Sequence, residues 1–161
     1  MPNTKRTSTT AGDGPAFPLD VLRARADRLA RAAREACRQH QRCGDFSVRD
    51  DTDIEELKGM LEMQTLADRI LADAVASYEK AGAKLHPDGD DEAWWHKANA
   101  LWLAAREHVR RQEMGDRLTK RVGAEHSAER LTELHVEHTL EASAALSLMH
   151  AADGYCKVRP V

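Results

Sequence analysis

The sequence predicts an all-α protein: an antiparallel, up-down-up-down four-helix bundle behind a disordered N-terminal tail. Three observations carry this. The composition is 42% hydrophobic and 32% charged with only 4% aromatic residues, a mixture that suits helices with a packed core. Apolar residues recur at steps of three and four along four long segments, and no stretch alternates with period two. Glycine and proline punctuate the gaps between those segments.

Each element follows from its own residues. Residues 1–17, which open "MPNTKRTSTTAGDGPA", lack an apolar period and read as a disordered tail. Residues 18–156 read as the bundle and 157–161 as a C-terminal tail. The first helix runs from about Leu19 to Cys43, with Leu22, Ala26, Leu29, Ala33, Ala36, Cys37 and His40 on one face. The second opens at "DDTDIEEL", where Thr52 and Glu55 have capping-box spacing. Its apolar face holds Leu57, Met60, Leu61, Ala67, Ile70, Leu71, Ala74, Val75 and Tyr78. Asp90 starts the third helix, whose face is Trp94, Trp95, Ala98, Leu101, Trp102, Ala105 and Val109. Ser127 caps the fourth, with Leu131, Leu134, Ala142, Ala145, Leu148, Met149 and Ala152 as its stripe. Gly44, Gly82, Gly115 and Gly154 are placed to end the four helices, and all five prolines fall outside them. The link between helices three and four is expected to be the longest. The large rings of "AWWHKANALW" are expected to fill volume that alanines on the other helices leave.

No apolar run is long enough to span a bilayer and no secretory leader is evident, so the expected location is cytoplasmic, without membrane contact. Three cysteines, Cys37, Cys43 and Cys156, are too few and too odd a set for a disulfide framework. The charge is uneven. Lys+Arg against Asp+Glu is 9 to 4 in residues 1–43, 5 to 14 in 44–92 and 10 to 9 in 93–161, giving +5, −9 and +1. The basic first helix and the acidic second are candidates to neutralise each other.

Polar residues inside an apolar stripe raise the question of function. His138 and Glu141 share the fourth helix's stripe and are three residues apart, close enough to meet. The favoured expectation is a buried polar layer in which Arg31 or Arg106 neutralises Glu141 and fixes the register of the helices. The alternative is a metal-binding, ferritin-like bundle, in which carboxylates and imidazoles from facing helices hold zinc or iron. His138-x-x-Glu141 reverses that family's Glu-x-x-His order, and the third helix offers no carboxylate on its face. A second metal candidate is "CRQHQRC", which puts Cys37, His40 and Cys43 three apart, with His108 and His126 expected near the same end.

Arg23, Arg28, Arg31, Arg34 and Arg38 give the first helix a basic face suited to nucleic acid or an acidic partner. Three pairs, Arg34–His40, Arg121–His126 and Arg130–His135, have a spacing similar to that in HEPN nucleases, which are all-helical. The resemblance covers the spacing alone. Glu35, Val122 and Leu131 stand where that family carries its usual polar residue, so no catalytic residue is assigned. No phosphate-binding glycine loop, nucleophile elbow or His-Glu-x-x-His motif occurs. The function expected is therefore a non-enzymatic helical-bundle binding or assembly protein, an adaptor or accessory. It pairs with a protein partner or with itself and needs no cofactor. The alternatives are the metal-binding bundle and a nucleic-acid-binding accessory bundle.

Overall fold

The structure, a computed structural model, describes residues 18–47, 53–82, 91–124 and 127–159. The expected N-terminal tail, Thr52, Asp90 and His126 lie outside them. Four helices form a bundle: α1 (Pro18–Ser47), α2 (Ile54–Gly82), α3 (Glu92–Ala124) and α4 (Ala128–Val158). No strand occurs among the described residues. No helix among them is long and apolar enough to cross a membrane.

The helix ends have local causes. Pro18 is the first residue of α1, not a residue outside it, because the first turn needs no N–H and proline's φ already suits a helix. Asp53 caps α2: its side chain accepts from the Glu55 amide at 2.9 Å and its carbonyl from the Leu57 amide at 2.9 Å. Ser127 caps α4 as expected, its hydroxyl accepting from the Arg130 amide at 3.2 Å. Gly82 ends α2 with φ at 105°, the left-handed cap that favours glycine.

The other three glycines do not stop helices. Gly44, Gly115 and Gly154 all lie inside them, so α3 is 33 residues long and the α3–α4 link is short. Gly115 is instead a packing glycine. A Cβ there would lie 3.3 Å from Oε2 of Glu141. The C-terminal tail begins later than expected, since Lys157 and Val158 still belong to α4.

The core fills one half of the bundle. Leu22, Ala26, Leu29, Ala33 and Ala36 of α1 meet Leu71, Ala74 and Tyr78 of α2, Ala98, Leu101 and Ala105 of α3, and Leu148, Ala152 and Tyr155 of α4. Alanine on every helix lets the backbones approach closely. Tyr78, Trp94 and Tyr155 fill the remaining volume, with Trp95 and Trp102 packed at its edge. Contacts between α3 and α4 run from Trp94–Tyr155 at one level to Arg111–Glu137 at another, so those helices run in opposite senses. α1 and α4 do the same, from Asp27–Tyr155 to Cys37–Ala145. The α1 and α3 backbones also approach across the bundle, whereas those of α2 and α4 stay farther apart.

Toward the other end the apolar layers give out. On α2 burial begins at Ala67. Leu61, which the periodicity places in the core, is 49% exposed, and Ile70 is 44% exposed. On α4 Leu131, Ala142 and Met149 of the expected stripe are exposed too.

Candidate functional site

Just beyond the core, each helix contributes a polar side chain to one layer. α1 supplies His40, α2 Gln64 and Asp68, α3 His108 and Gln112, and α4 Glu141. The positions follow from helical spacing. His108, Gln112 and Gly115 continue the face of Leu101 and Ala105, and Gln64 and Asp68 continue that of Leu71 and Val75. The bare backbone at Gly115 leaves room for the Glu141 carboxylate against α3.

Gln64 Nε2 donates to Nδ1 of His40 at 3.1 Å. The His40 and His108 rings meet edge-on with centroids 6.4 Å apart. His108 is 1% exposed, and neither ring nitrogen has a hydrogen-bond partner among the described residues. Burial, helped by the charge of His40, drives its pKa down to about 4, so the ring is neutral at physiological pH.

The two carboxylates are shifted the other way. Burial raises the pKa of Asp68, against a hydrogen bond from Gln112 and the pull of His40, and Asp116 adds repulsion. Asp68 Oδ1 is buried without a hydrogen-bond partner among the described residues. Burial also raises Glu141, with His40 and His138 opposing, and Asp68 and Asp116 reinforcing the rise. Asp68, Asp116 and Glu141 line a cleft of about 350 Å³ between α2 and α3. On the opposite seam, Cys37 and His40 of α1 face Ala145, Leu146 and Met149 of α4 across a more apolar groove of about 470 Å³.

This layer differs from the one expected. His138 and Arg31 are exposed, and Arg106 points outward, 3.8 Å from Glu79 with its guanidinium over the Trp102 ring. Of the four residues expected in the layer, only Glu141 joins it, because the inward face of α4 runs through Glu137, Glu141, Ala144 and Leu148 and His138 lies off it. No arginine forms an ion pair with Glu141 among the described residues. The arginine that does bind a buried carboxylate on α4 is Arg111. It reaches both oxygens of Glu137 at 3.3 Å and Oε1 of Glu107 at 2.7 Å.

Of the expected Cys/His cluster, Cys37 and His40 line the same groove between α1 and α4, each with its own partner. Cys37 Sγ donates to the Ala145 carbonyl at 3.8 Å, His40 turns to Gln64, and Cys43 is half-buried on the last turns of α1. Burial pushes the Cys37 thiol up to about 11 and raises Cys43. Among the described residues no group of three or more His, Cys, Asp or Glu side chains is disposed to hold a metal ion.

At the far end a second network ties three helices together. Trp94 Nε1 donates to the Tyr155 hydroxyl at 3.1 Å, which donates to Asp27 at 2.6 Å. Arg159 Nε donates to the same carboxylate at 2.7 Å. Burial pulls Asp27 up, but the bonds from Arg159 and Tyr155 outweigh it and hold the carboxyl below its usual value. Comparison of the chain with known protein families, characterised proteins and solved structures gave no match.

Proposed function

We propose that the chain is a cytoplasmic binding and assembly module, not a catalyst, and that α4 is the helix through which it pairs with a second copy. The single observation that carries this is the distribution of side chains round α4. Its apolar residues are spread round the helix, whereas α1 gathers them on one face. Apolar side chains left on the outward side of such a helix, Val136, Leu140 and Leu146 among them, are available to a partner.

The outward seam of α4 has the spacing a partner helix needs. Thr132, Val136, Thr139, Ser143, Leu146 and His150 step by four and three, and all six are exposed. That is the spacing of the packing positions in a coiled coil. Val136 and Leu146 are more than half exposed, and the residues between them, Thr139 and Ser143, are small. The seam is self-complementary about the level of Glu141. Two antiparallel copies set Val136 against Leu146, Thr139 against Ser143 and Thr132 against His150. A two-fold interface requires this reciprocal matching.

Sedimentation equilibrium over a range of concentrations tests the reading. A reversible dimer is expected, and Val136→Glu with Leu146→Glu converts it to a monomer that keeps its helical content. A wild-type chain that stays monomeric at the highest concentration counts against the proposal.

A further inference from the structure

The acidic second helix does not neutralise the basic first one. Among the described residues no ion pair joins α1 to α2. Arg23 pairs with Asp20 and Asp91, and Arg38 pairs with Glu35. Arg28, Arg31, Arg34 and Arg42 are exposed and form no ion pair with a described carboxylate. Arg34 reaches only the Cys156 sulfur, at 3.9 Å. Of the acidic residues near them, Asp27 is engaged by Arg159 and Tyr155 and Glu35 by Arg38 and Gln39, while Asp153 of α4 lines one groove with Arg34 and Arg38.

These arginines share the face of α1 that points away from the core. From Arg28 to Arg42 they extend over about 21 Å, at 1.5 Å per residue. One strand of a duplex places a phosphate about every 3.4 Å of axis, so the row spans the rise of about six base pairs. We infer that this face binds the phosphate backbone of a nucleic-acid duplex without reading its sequence.

The side chains that are missing narrow the choice of partner. Residues 23–42 contain no Phe, Trp or Tyr, so the row lacks the large aromatic platforms on which single-strand binders stack successive bases. The outer face between Arg28 and Arg42 exposes no large apolar side chain. A bilayer would have nothing to anchor, and a protein partner would meet no apolar centre for an interface. What remains is a line of guanidinium forks, whose planar geometry suits phosphate oxygens.

Fluorescence anisotropy of a labelled 20-base-pair DNA duplex, titrated with the full chain at several salt concentrations, tests this. Binding at low salt is expected, with log K falling against log salt with a slope of about −4, one phosphate for each of four free arginines. A shuffled duplex of the same length should bind equally. Arg28→Ala, Arg31→Ala and Arg34→Ala together should cut the slope to about −1, while Arg69→Ala with Arg121→Ala leaves it unchanged. The three arginines are exposed and Arg34 gives up only its 3.9 Å contact with the Cys156 sulfur, so circular dichroism should show an intact fold, and sedimentation should show the same oligomeric state as wild type. Absence of binding at low salt overturns the inference. So does a triple variant that binds like wild type, or equal retention on polyglutamate or anionic vesicles.

Discussion

The imidazole of His108 lies edge-on to that of His40, with ring centroids 6.4 Å apart, and neither of its nitrogens finds a hydrogen bond among the described residues. A neutral ring is tolerated there and a charged one is not. Its folded pKa of about 4 lies below the ordinary 6.5. The native state therefore takes up this proton less readily than the unfolded state. Stability from this group is complete above pH 6.5 and is lost as pH falls toward 4. Wild type should lose stability steadily through that window, and His108→Leu should lose markedly less. Urea denaturation midpoints of both proteins between pH 7.5 and 4 measure the difference. Parallel profiles would show that His108 is not the titrating group.

Asp68 and Glu141 carry the opposite sign. Their folded pKa values are raised, so the native state takes up these protons more readily than the unfolded chain. Their cost to stability is complete at neutral pH and is relieved as pH falls through the raised values. Asp68→Asn and Glu141→Gln should each stabilise the protein at pH 7, by about 0.5–2 kcal/mol, by removing a poorly compensated buried charge. The gain should shrink at pH 4. Thermal unfolding at the two pH values checks the sign.

Tyr155 connects the Trp94 indole to the Asp27 carboxylate. Tyr155→Phe keeps the ring volume but leaves a buried indole N–H unpaired and removes a donor from Asp27. A loss of about 1–3 kcal/mol is expected. Chemical denaturation measures it, and a loss no larger than that of an exposed control such as Ser147→Ala would count against a structural role for this network.

The glycines separate by what stands near them. Gly154 is inside α4 with open space around its Cα, so Gly154→Ala should stabilise by about 0.5–1 kcal/mol through backbone entropy. Gly115→Ala should gain less, because its methyl would press on Glu141 Oε2. Repeating Gly115→Ala in a Glu141→Ala background should restore the missing gain. A double-mutant cycle reads that coupling directly.

Much of the bundle was legible in the sequence because helical periodicity reports a local property. The faces of α1 and α3, the Ser127 cap and the Gly82 stop all follow from nearby residues. Register was not legible. Gly115 looks like a helix stop until α4 is seen to bring Glu141 against it. His138 lies outside because the buried face of α4 runs through Glu137, Glu141, Ala144 and Leu148. The site was hidden for the same reason. Asp68, His108 and Gln112 sit at spacings that continue the buried faces, but a hydrophobic periodicity counts only apolar side chains and passes over them. Following the positions Leu101, Ala105, His108, Gln112 and Gly115 regardless of residue type would have found the α3 side of the layer. The charge of α1 and α2 misled in another way. Neighbouring opposite charges suggest pairing, yet the two helices meet on their apolar faces, and Arg28, Arg31, Arg34 and Arg42 point elsewhere.

Cross-linking across α4 tests the central claim most directly. A Thr139→Cys chain and a Ser143→Cys chain, each with Cys37, Cys43 and Cys156 replaced by alanine, are mixed in equal amounts and oxidised gently. The proposed antiparallel pair sets position 139 of one copy against position 143 of the other, so a disulfide-linked dimer should dominate the mixture. It should exceed what either chain gives alone or what Arg31→Cys gives in the same background. Monomer throughout, or equal cross-linking from position 31, would contradict pairing through α4.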